Sequence, residues 1–147
     1  MKNNSALFYT CSLIEYIGRM QRLPRAAVVQ GLKRETIARI YNYADVFHCE
    51  PIEKTADEFI MRYALPTGDY DNVAACRYEV PDYWAIGEVY ERLIEDVCGD
   101  DESRVIDVLM EVYTSWIDAA ISNYNSDFFY QSRGYIYQCY LEGTVCA

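Results

Sequence analysis

Apolar residues recur with a helical period along almost the whole chain, and this pattern constrains the fold more than any other feature. The first such stripe, at i, i+3, i+4 spacing, consists of Leu7, Phe8, Cys11, Ile14 and Ile17. Successive stripes are separated by helix-breaking residues, among them Pro24, Pro51 and Pro81. The sequence therefore predicts an all-α fold, in which residues 1–147 form a single globular domain of six or seven helices.

The helical period is interrupted between residues 65 and 80. This segment contains Pro66, Gly68 and the turn-forming pair Asp71-Asn72, and we expect it to be a long loop. Loops of about 15 residues without secondary structure are uncommon in compact domains and are often functional. The segment is a candidate site on that ground.

The remaining helix boundaries follow from the same pattern. We expect Gly31 to separate a short helix that begins at Pro24 from a longer one over residues 34–47. The apolar run 105–121 predicts one central core helix. The aromatic-rich residues 127–141 predict a final helix.

Length and composition exclude several classes of protein. The chain has 147 residues, of which 52% are hydrophobic and 24% charged, a composition of folded domains rather than disordered ones. A domain of this size needs neither a disulfide nor a metal to fold. The sequence has no apolar run of the ~18 residues needed to span a bilayer, and its first residues do not resemble a secretory signal. We expect a cytoplasmic protein with reduced cysteines.

The formal net charge of −10 is unevenly distributed along the chain. Residues 1–40 carry seven basic and two acidic side chains, whereas residues 41–147 carry six basic and 21 acidic ones. Such segregation within one domain concerns binding partners rather than the fold. The acidic part predicts a surface for a protein partner with a basic surface.

Aromatic residues are the second unusual feature, since the chain has 15 tyrosines. They are densest near the C-terminus, where one amphipathic helix cannot bury them all, and exposed aromatic side chains are typical of protein interfaces. We therefore predict a partner-binding surface, with a second copy of the chain as another possible occupant. Its predicted residues are Glu88, Glu91, Glu95, Asp107, Glu111, Phe129, Tyr130 and Tyr137.

A different interpretation of the basic segment is a helix-turn-helix for DNA binding, over residues 24–40. Ala27, Gly31 and Ile37 have the spacing of that motif, although Gln30 stands where it prefers an apolar residue. The side chains that would contact phosphates are Arg25, Lys33, Arg34 and Arg39. The same side chains could instead pair with the acidic part of the protein itself.

A third interpretation is an enzyme that uses His48, the only histidine, with Cys49, Cys76 or Asp45. The sequence lacks the glycine-rich phosphate-binding motifs and the G-x-S-x-G motif of hydrolases. The spacing of the six cysteines fits no zinc module, and the segment from Asp69 lacks the sixth-position glycine and the twelfth-position glutamate of a calcium loop. We expect no cofactor, no metal site and no catalytic residues.

Four segments of the chain resemble a group of small uncharacterised proteins of gut Firmicutes. They are residues 11–19 (CSLIEYIGR), 40–50 (IYNYADVFHCE), 71–76 (DNVAAC) and 81–90 (PDYWAIGEVY). Proteins of that group are encoded beside small toxins that resemble ADP-ribosyltransferases. The resemblance implies an antitoxin or immunity-type partner of such a toxin, and it brings no catalytic residues with it.

Overall fold

A computed structural model describes residues 1–146, and within them it contains eight α-helices, two 3₁₀ turns and no strand. The 3₁₀ turns are Glu102–Arg104 and Phe128–Tyr130. In chain order the α-helices are α1 (Ser5–Gln21), α2 (Arg25–Asn42), α3 (Ala44–Phe47), α4 (Ile52–Arg62), α5 (Tyr83–Cys98), α6 (Val105–Tyr113), α7 (Ile117–Ser122) and α8 (Arg133–Glu142). The prediction of an all-α fold is confirmed, and six of the helices have nine residues or more.

Helix α1 is the central helix of the domain. Its buried residues include Leu7, Leu13 and Ile17, and they cover more than one face of the helix. Helix α5 crosses α1 so closely that a Cβ atom added to Gly87 would lie 2.2 Å from Oγ and 2.9 Å from Cα of Ser12. Only glycine fits at this crossing, so Gly87 fixes the distance between the two main helices.

Helix α2 is broken in the middle, as its sequence predicts. The break falls at Lys33, which has φ 74° and ψ 158°, two residues beyond the expected position at Gly31. Gly31 itself lies against Leu65, since an added Cβ would be 2.6 Å from Cδ2 of that side chain. The small residue therefore serves packing, and the chain changes direction at a lysine.

The predicted helix over residues 105–121 is wrong as a single element. Helix α6 ends at Tyr113, and α7 begins at Ile117. The hydroxyl of Thr114 donates a hydrogen bond to the carbonyl oxygen of Met110, at 2.7 Å, and the hydroxyl of Ser115 donates one to that of Val112. These side chains satisfy carbonyl groups at the helix end, which allows the chain to turn within an apolar run.

The predicted C-terminal helix is also divided. Residues 128–130 form a 3₁₀ turn, and α8 begins after Ser132, whose Oγ accepts a hydrogen bond from the backbone N–H of Tyr135 at 3.3 Å. The break turns the aromatic side chains before it away from the face of α8. As a result, Phe128 is buried, whereas Tyr130 is 83% exposed.

The prediction of a long loop over residues 65–80 is confirmed, since no helix lies between α4 and α5. The loop is held at several points by hydrogen bonds to the rest of the domain. The N–H of Gly68 donates to the carbonyl oxygen of Gln21, and Nδ2 of Asn72 donates to that of Ser122.

None of the described helices combines the length and the apolar character that crossing a membrane requires.

Candidate functional site

A surface groove of about 700 Å³ lies between the outer face of α5, the segment 79–82 and the start of α8. We call it the docking groove. Its apolar floor includes Val80, Val89, Leu93 and Ile136. The groove brings together Glu88, Phe129 and Tyr130, three of the residues that the sequence predicts for partner binding.

Two helix N-termini shape the docking groove. Asp82 caps α5, because its Oδ1 accepts a hydrogen bond from the N–H of Ala85 at 2.7 Å. Ser132 caps α8 in the same way, and the turn before it presents the adjacent aromatic residues. Local capping therefore sets the position of both walls, which agrees with a preformed groove.

The aromatic residues form the rim of the docking groove. Phe129 is half-buried and meets the ring of Tyr124 edge to face, at 5.6 Å between ring centroids. Tyr130 packs against Phe129 at 6.0 Å and otherwise faces solvent. An exposed tyrosine supported by a half-buried phenylalanine is the kind of anchor that protein interfaces use, since it offers a large contact area at low entropic cost.

The charges around the docking groove do not cancel. Arg92 pairs with Glu88 at 3.2 Å, and Arg133 pairs with Asp96 at 2.9 Å. Both basic side chains of the lining are therefore neutralised by the protein's own carboxylates. Two further acids line the groove, Glu79 and Asp82, and neither forms an ion pair within residues 1–146.

Two of the predicted partner-binding acids are buried, contrary to the expected solvated face. Glu91 is 7% exposed and Glu95 is 1% exposed. An Oε atom of Glu95 accepts a hydrogen bond from the backbone N–H of Asn4 at 2.8 Å, because the start of α1 packs against this side of α5. These two carboxylates are thus unavailable to a partner.

Burial also changes the acidity of this pair. The pKa of Glu91 is raised to about 8, first by burial and then by the neighbouring carboxyl of Glu95. Arg133 lies 3.2 Å from Glu95, and the attraction of Arg92 offsets only a part of the rise in the pKa of Glu91. Glu91 is therefore a neutral carboxylic acid over much of the neutral pH range.

The other predicted partner residues lie outside the docking groove. Asp107 is exposed on α6 and pairs with Arg34 at 2.6 Å. Glu111, on the same helix, is exposed, and Tyr137 on α8 is half-buried against the core. The acids predicted as one face are therefore divided among a groove, a buried pair and the surface of α6.

The structure corrects the prediction for Arg25 as a phosphate contact. Arg25 begins α2 facing α1, and it is only 5% exposed. Its Nε donates to Glu15 at 2.5 Å and its Nη2 donates to the hydroxyl of Tyr124 at 2.6 Å. A guanidinium enclosed in this way cannot reach a nucleic acid. Arg25 instead pairs with Asp118, as the alternative interpretation of an internal pairing with the acidic part of the protein predicts.

The other three basic residues of that segment are exposed. Lys33 lies at the break of α2, and Arg34 is engaged by Asp107. The guanidinium carbon of Arg39 lies 5.9 Å from the ring centroid of Phe59. Two of these three cations thus have partners within the protein.

A buried polar cluster is centred on Arg25, and the sequence pattern does not predict it. Its members, from four helices and the segment after α7, are Glu15, Arg19, Arg25, Tyr90, Asp118, Ser122 and Tyr124. Burial alone would raise the pKa of Glu15, but the guanidinium groups of Arg25 and Arg19 outweigh it and lower that pKa. One feature of the sequence does indicate the cluster: Glu15 is a charged residue four positions after Cys11, within the apolar stripe of α1.

A small cavity of about 220 Å³ separates this cluster from the long loop. Glu15, Arg19 and Arg25 line one side of it, and loop residues 70–73 line the other. The loop therefore covers the polar cluster, and its hydrogen bond from Asn72 to the carbonyl oxygen of Ser122 fixes it there.

The residues of the predicted enzyme come together only in part, since His48 and Asp45 line one cavity and Cys76 lies outside it. His48 is exposed at the end of α3. Its ring lies nearly perpendicular to that of Tyr9, with 5.6 Å between the ring centroids. Cys76 lies elsewhere, with its thiol near the carbonyl oxygen of Tyr78 at 3.4 Å. The thiol of Cys49 donates to the carbonyl oxygen of Asp45, and no described residues form a three-ligand metal cluster.

Comparison of the chain with protein-family models, with curated proteins and with solved structures finds no match. The resemblance to the Firmicutes group thus stays a prediction.

Proposed function

We propose that the chain is a non-enzymatic domain that binds a basic protein through the docking groove. The observation that carries this proposal is the combination of an exposed aromatic rim with unpaired acids in one groove. Tyr130 and Phe129 offer the desolvated contact, and Glu79 and Asp82 offer the charge that attracts a basic partner.

The charge pattern supports a protein partner over a nucleic acid. Arg92 and Arg133, the basic residues of the groove, are already paired with carboxylates, and the domain as a whole carries −10. A polyanion would meet net repulsion at this surface, whereas a basic protein would be steered towards it.

The proposed role is that of an antitoxin or immunity-type protein in the cytoplasm, which neutralises a toxin by binding it. The resemblance of residues 11–19 and 81–90 to the Firmicutes group supports this role. Residues 81 and 82 also line the docking groove. The packing of Cys11 and Cys139 as buried free thiols agrees with a reducing compartment.

Co-expression with the product of the neighbouring gene tests the proposal. We expect the two proteins to co-purify and the chain to restore growth of cells that express the neighbouring gene alone. Tyr130→Ala should weaken the complex at least about tenfold, as expected for an interface anchor. Tyr43→Ala is the matched control, because Tyr43 is also an exposed tyrosine (56%) and does not line the groove.

Three results would overturn the proposal. The first is a chain that neither co-purifies with that product nor restores growth. The second is equal weakening by Tyr130→Ala and Tyr43→Ala, which would remove the groove from the interface. The third is tight binding of the upstream DNA at moderate salt, which would favour the basic segment.

A further inference from the structure

A second cavity, of about 650 Å³, lies between the N-terminal half of α1 and helix α3. We call it the α3 cleft. Its lining includes Phe8, Tyr9, Tyr41, Asp45, His48 and Trp84. It is separate from the docking groove, with which it shares no lining residue.

Half of the residues that line the α3 cleft carry aromatic rings. Phe8 and Trp84 lie 5.5 Å apart between ring centroids, at an interplanar angle of 33°. The ring of Tyr41 is fixed by its hydroxyl, which donates to Glu102 at 2.6 Å and accepts from Asn4 at 2.8 Å. Rings held in this way present π faces and edges whose positions are set before a ligand arrives.

The charge of the α3 cleft is negative. Asp45 is the one carboxylate in the lining, which contains no lysine or arginine and has His48 as its one imidazole. Its Oδ1 accepts a hydrogen bond from the N–H of Val46 at 3.0 Å, and the second carboxylate oxygen has no partner among the described residues. Aromatic faces together with an unpaired carboxylate attract an organic cation.

We propose that the α3 cleft binds a guanidinium group, as carried by arginine. A guanidinium is planar and stacks on aromatic rings, while its N–H groups donate to a carboxylate. The free oxygen of Asp45 and the amide oxygen of Asn42, which also lines the cleft, are acceptors that a quaternary ammonium could not use. The cleft has the volume of a small-molecule site. This proposal does not depend on the function proposed for the docking groove.

Calorimetric titration with N-acetyl-arginine methylamide tests the proposal directly. We expect saturable binding with Kd on the order of 1 mM, as fits one partly exposed stacking contact with one charge-assisted hydrogen bond. In a Trp116→Phe background, Trp84 is the only tryptophan, and its fluorescence should change along the same binding curve.

Two matched variants assign the binding to this cleft. Asp45→Asn keeps the acceptor for the N–H of Val46, so the fold is retained, and it should weaken binding about tenfold. Glu79→Gln removes one negative charge from the docking groove and should leave the affinity for arginine unchanged.

Competing ligands show which organic cation the α3 cleft prefers. The lysine analogue and tetramethylammonium should each bind at least about fivefold more weakly than the arginine compound. A capped arginine that binds more tightly than free arginine would assign the cleft to an arginine side chain of a protein, and the reverse order would assign it to the free amino acid. The proposal is overturned if no saturable binding occurs, if Asp45→Asn leaves it unchanged, or if tetramethylammonium binds equally well.

Discussion

The buried polar cluster around Arg25 and the docking groove lie near the two sides of α5, and both are rich in charged and aromatic residues. In the cluster, Arg25 is enclosed and its guanidinium donates to Glu15, Asp118 and Tyr124. In the groove, Tyr130 faces solvent and Glu79 has no ion pair. Every charged group of the cluster thus has an internal partner, whereas the groove keeps its cations paired and leaves Glu79 and the ring of Tyr130 open to solvent.

This difference separates residues that maintain the fold from residues that are free to bind. A buried ion pair contributes little net stability, but removal of one partner leaves an uncompensated charge in the interior. An exposed aromatic residue contributes little to folding and offers contact area to a partner. Substitutions in the cluster should therefore change stability, and substitutions in the groove should change binding.

The largest effect is expected for Arg25→Ala. The substitution leaves Glu15 buried without its main cation, which should reduce the free energy of unfolding by about 3–5 kcal/mol. Arg34→Ala is the control, because it breaks the exposed pair with Asp107 and should cost less than about 1 kcal/mol. Urea denaturation of both variants measures the difference, and equal midpoints would contradict the assignment.

A second prediction concerns the inner face of α5. Gly87→Ala forces a Cβ to within 2.9 Å of the backbone of Ser12, and the two helices must separate, at a cost of about 1–3 kcal/mol. Gly134→Ala on α8 is the matched control, since nothing lies within 4 Å of the added Cβ. The control should be neutral or stabilising by up to about 1 kcal/mol. Thermal unfolding that shifts equally in both variants would mean that the crossing is not tight.

The helical period was enough to predict the fold class, the long loop and the starts of α4 and α5, because each of these follows from local sequence. The division at residues 114–116 could not be predicted in the same way. The apolar pattern continues through it, and the helix ends because Thr114 and Ser115 capture carbonyl groups. Hydroxyl residues within an apolar run are compatible with either outcome.

The site was predicted only in part, for a related reason. Exposure of Tyr130 followed from the excess of aromatic residues, but the burial of Glu91 and Arg25 depends on which helices pack against theirs. Carboxylates at i, i+4 are typical of a solvated helix face. Here the N-terminus of α1 covers that face of α5, and a contact between residues about 90 positions apart has no local signal.

Glu91 and Glu15, two of the three buried glutamates, should give opposite pH dependence. The folded protein retains the proton of Glu91 up to pH about 8, whereas the unfolded chain releases it near the ordinary value of 4.5. Stability should therefore fall as pH rises through this window. Glu15 has a lowered pKa, so its contribution is present at neutral pH and lost as acid protonates it in the folded state.

The variants Glu91→Gln and Glu88→Gln test this contrast. Glu91→Gln should abolish the decline of stability between pH 5 and pH 8. Glu88→Gln, on the same helix but exposed and paired with Arg92, should retain it. A decline that persists in Glu91→Gln would assign the effect to another group.

The smallest effect is expected outside both regions, at Lys33. This residue has φ 74°, a conformation that favours glycine, so Lys33→Gly should stabilise the protein by up to about 1 kcal/mol. Arg39→Gly, at a helical position of α2, should destabilise it by a similar amount. Destabilisation by Lys33→Gly in urea denaturation would show that its side chain, rather than its backbone, matters there.

The most direct test of the account measures stability and binding on one variant, Tyr130→Ala. The urea midpoint should stay within experimental error of the parent protein, because the side chain is 83% exposed, while the affinity for the co-purified partner should fall at least about tenfold. A lower midpoint with unchanged affinity would contradict the account, since Tyr130 would then belong to the fold and not to the docking groove.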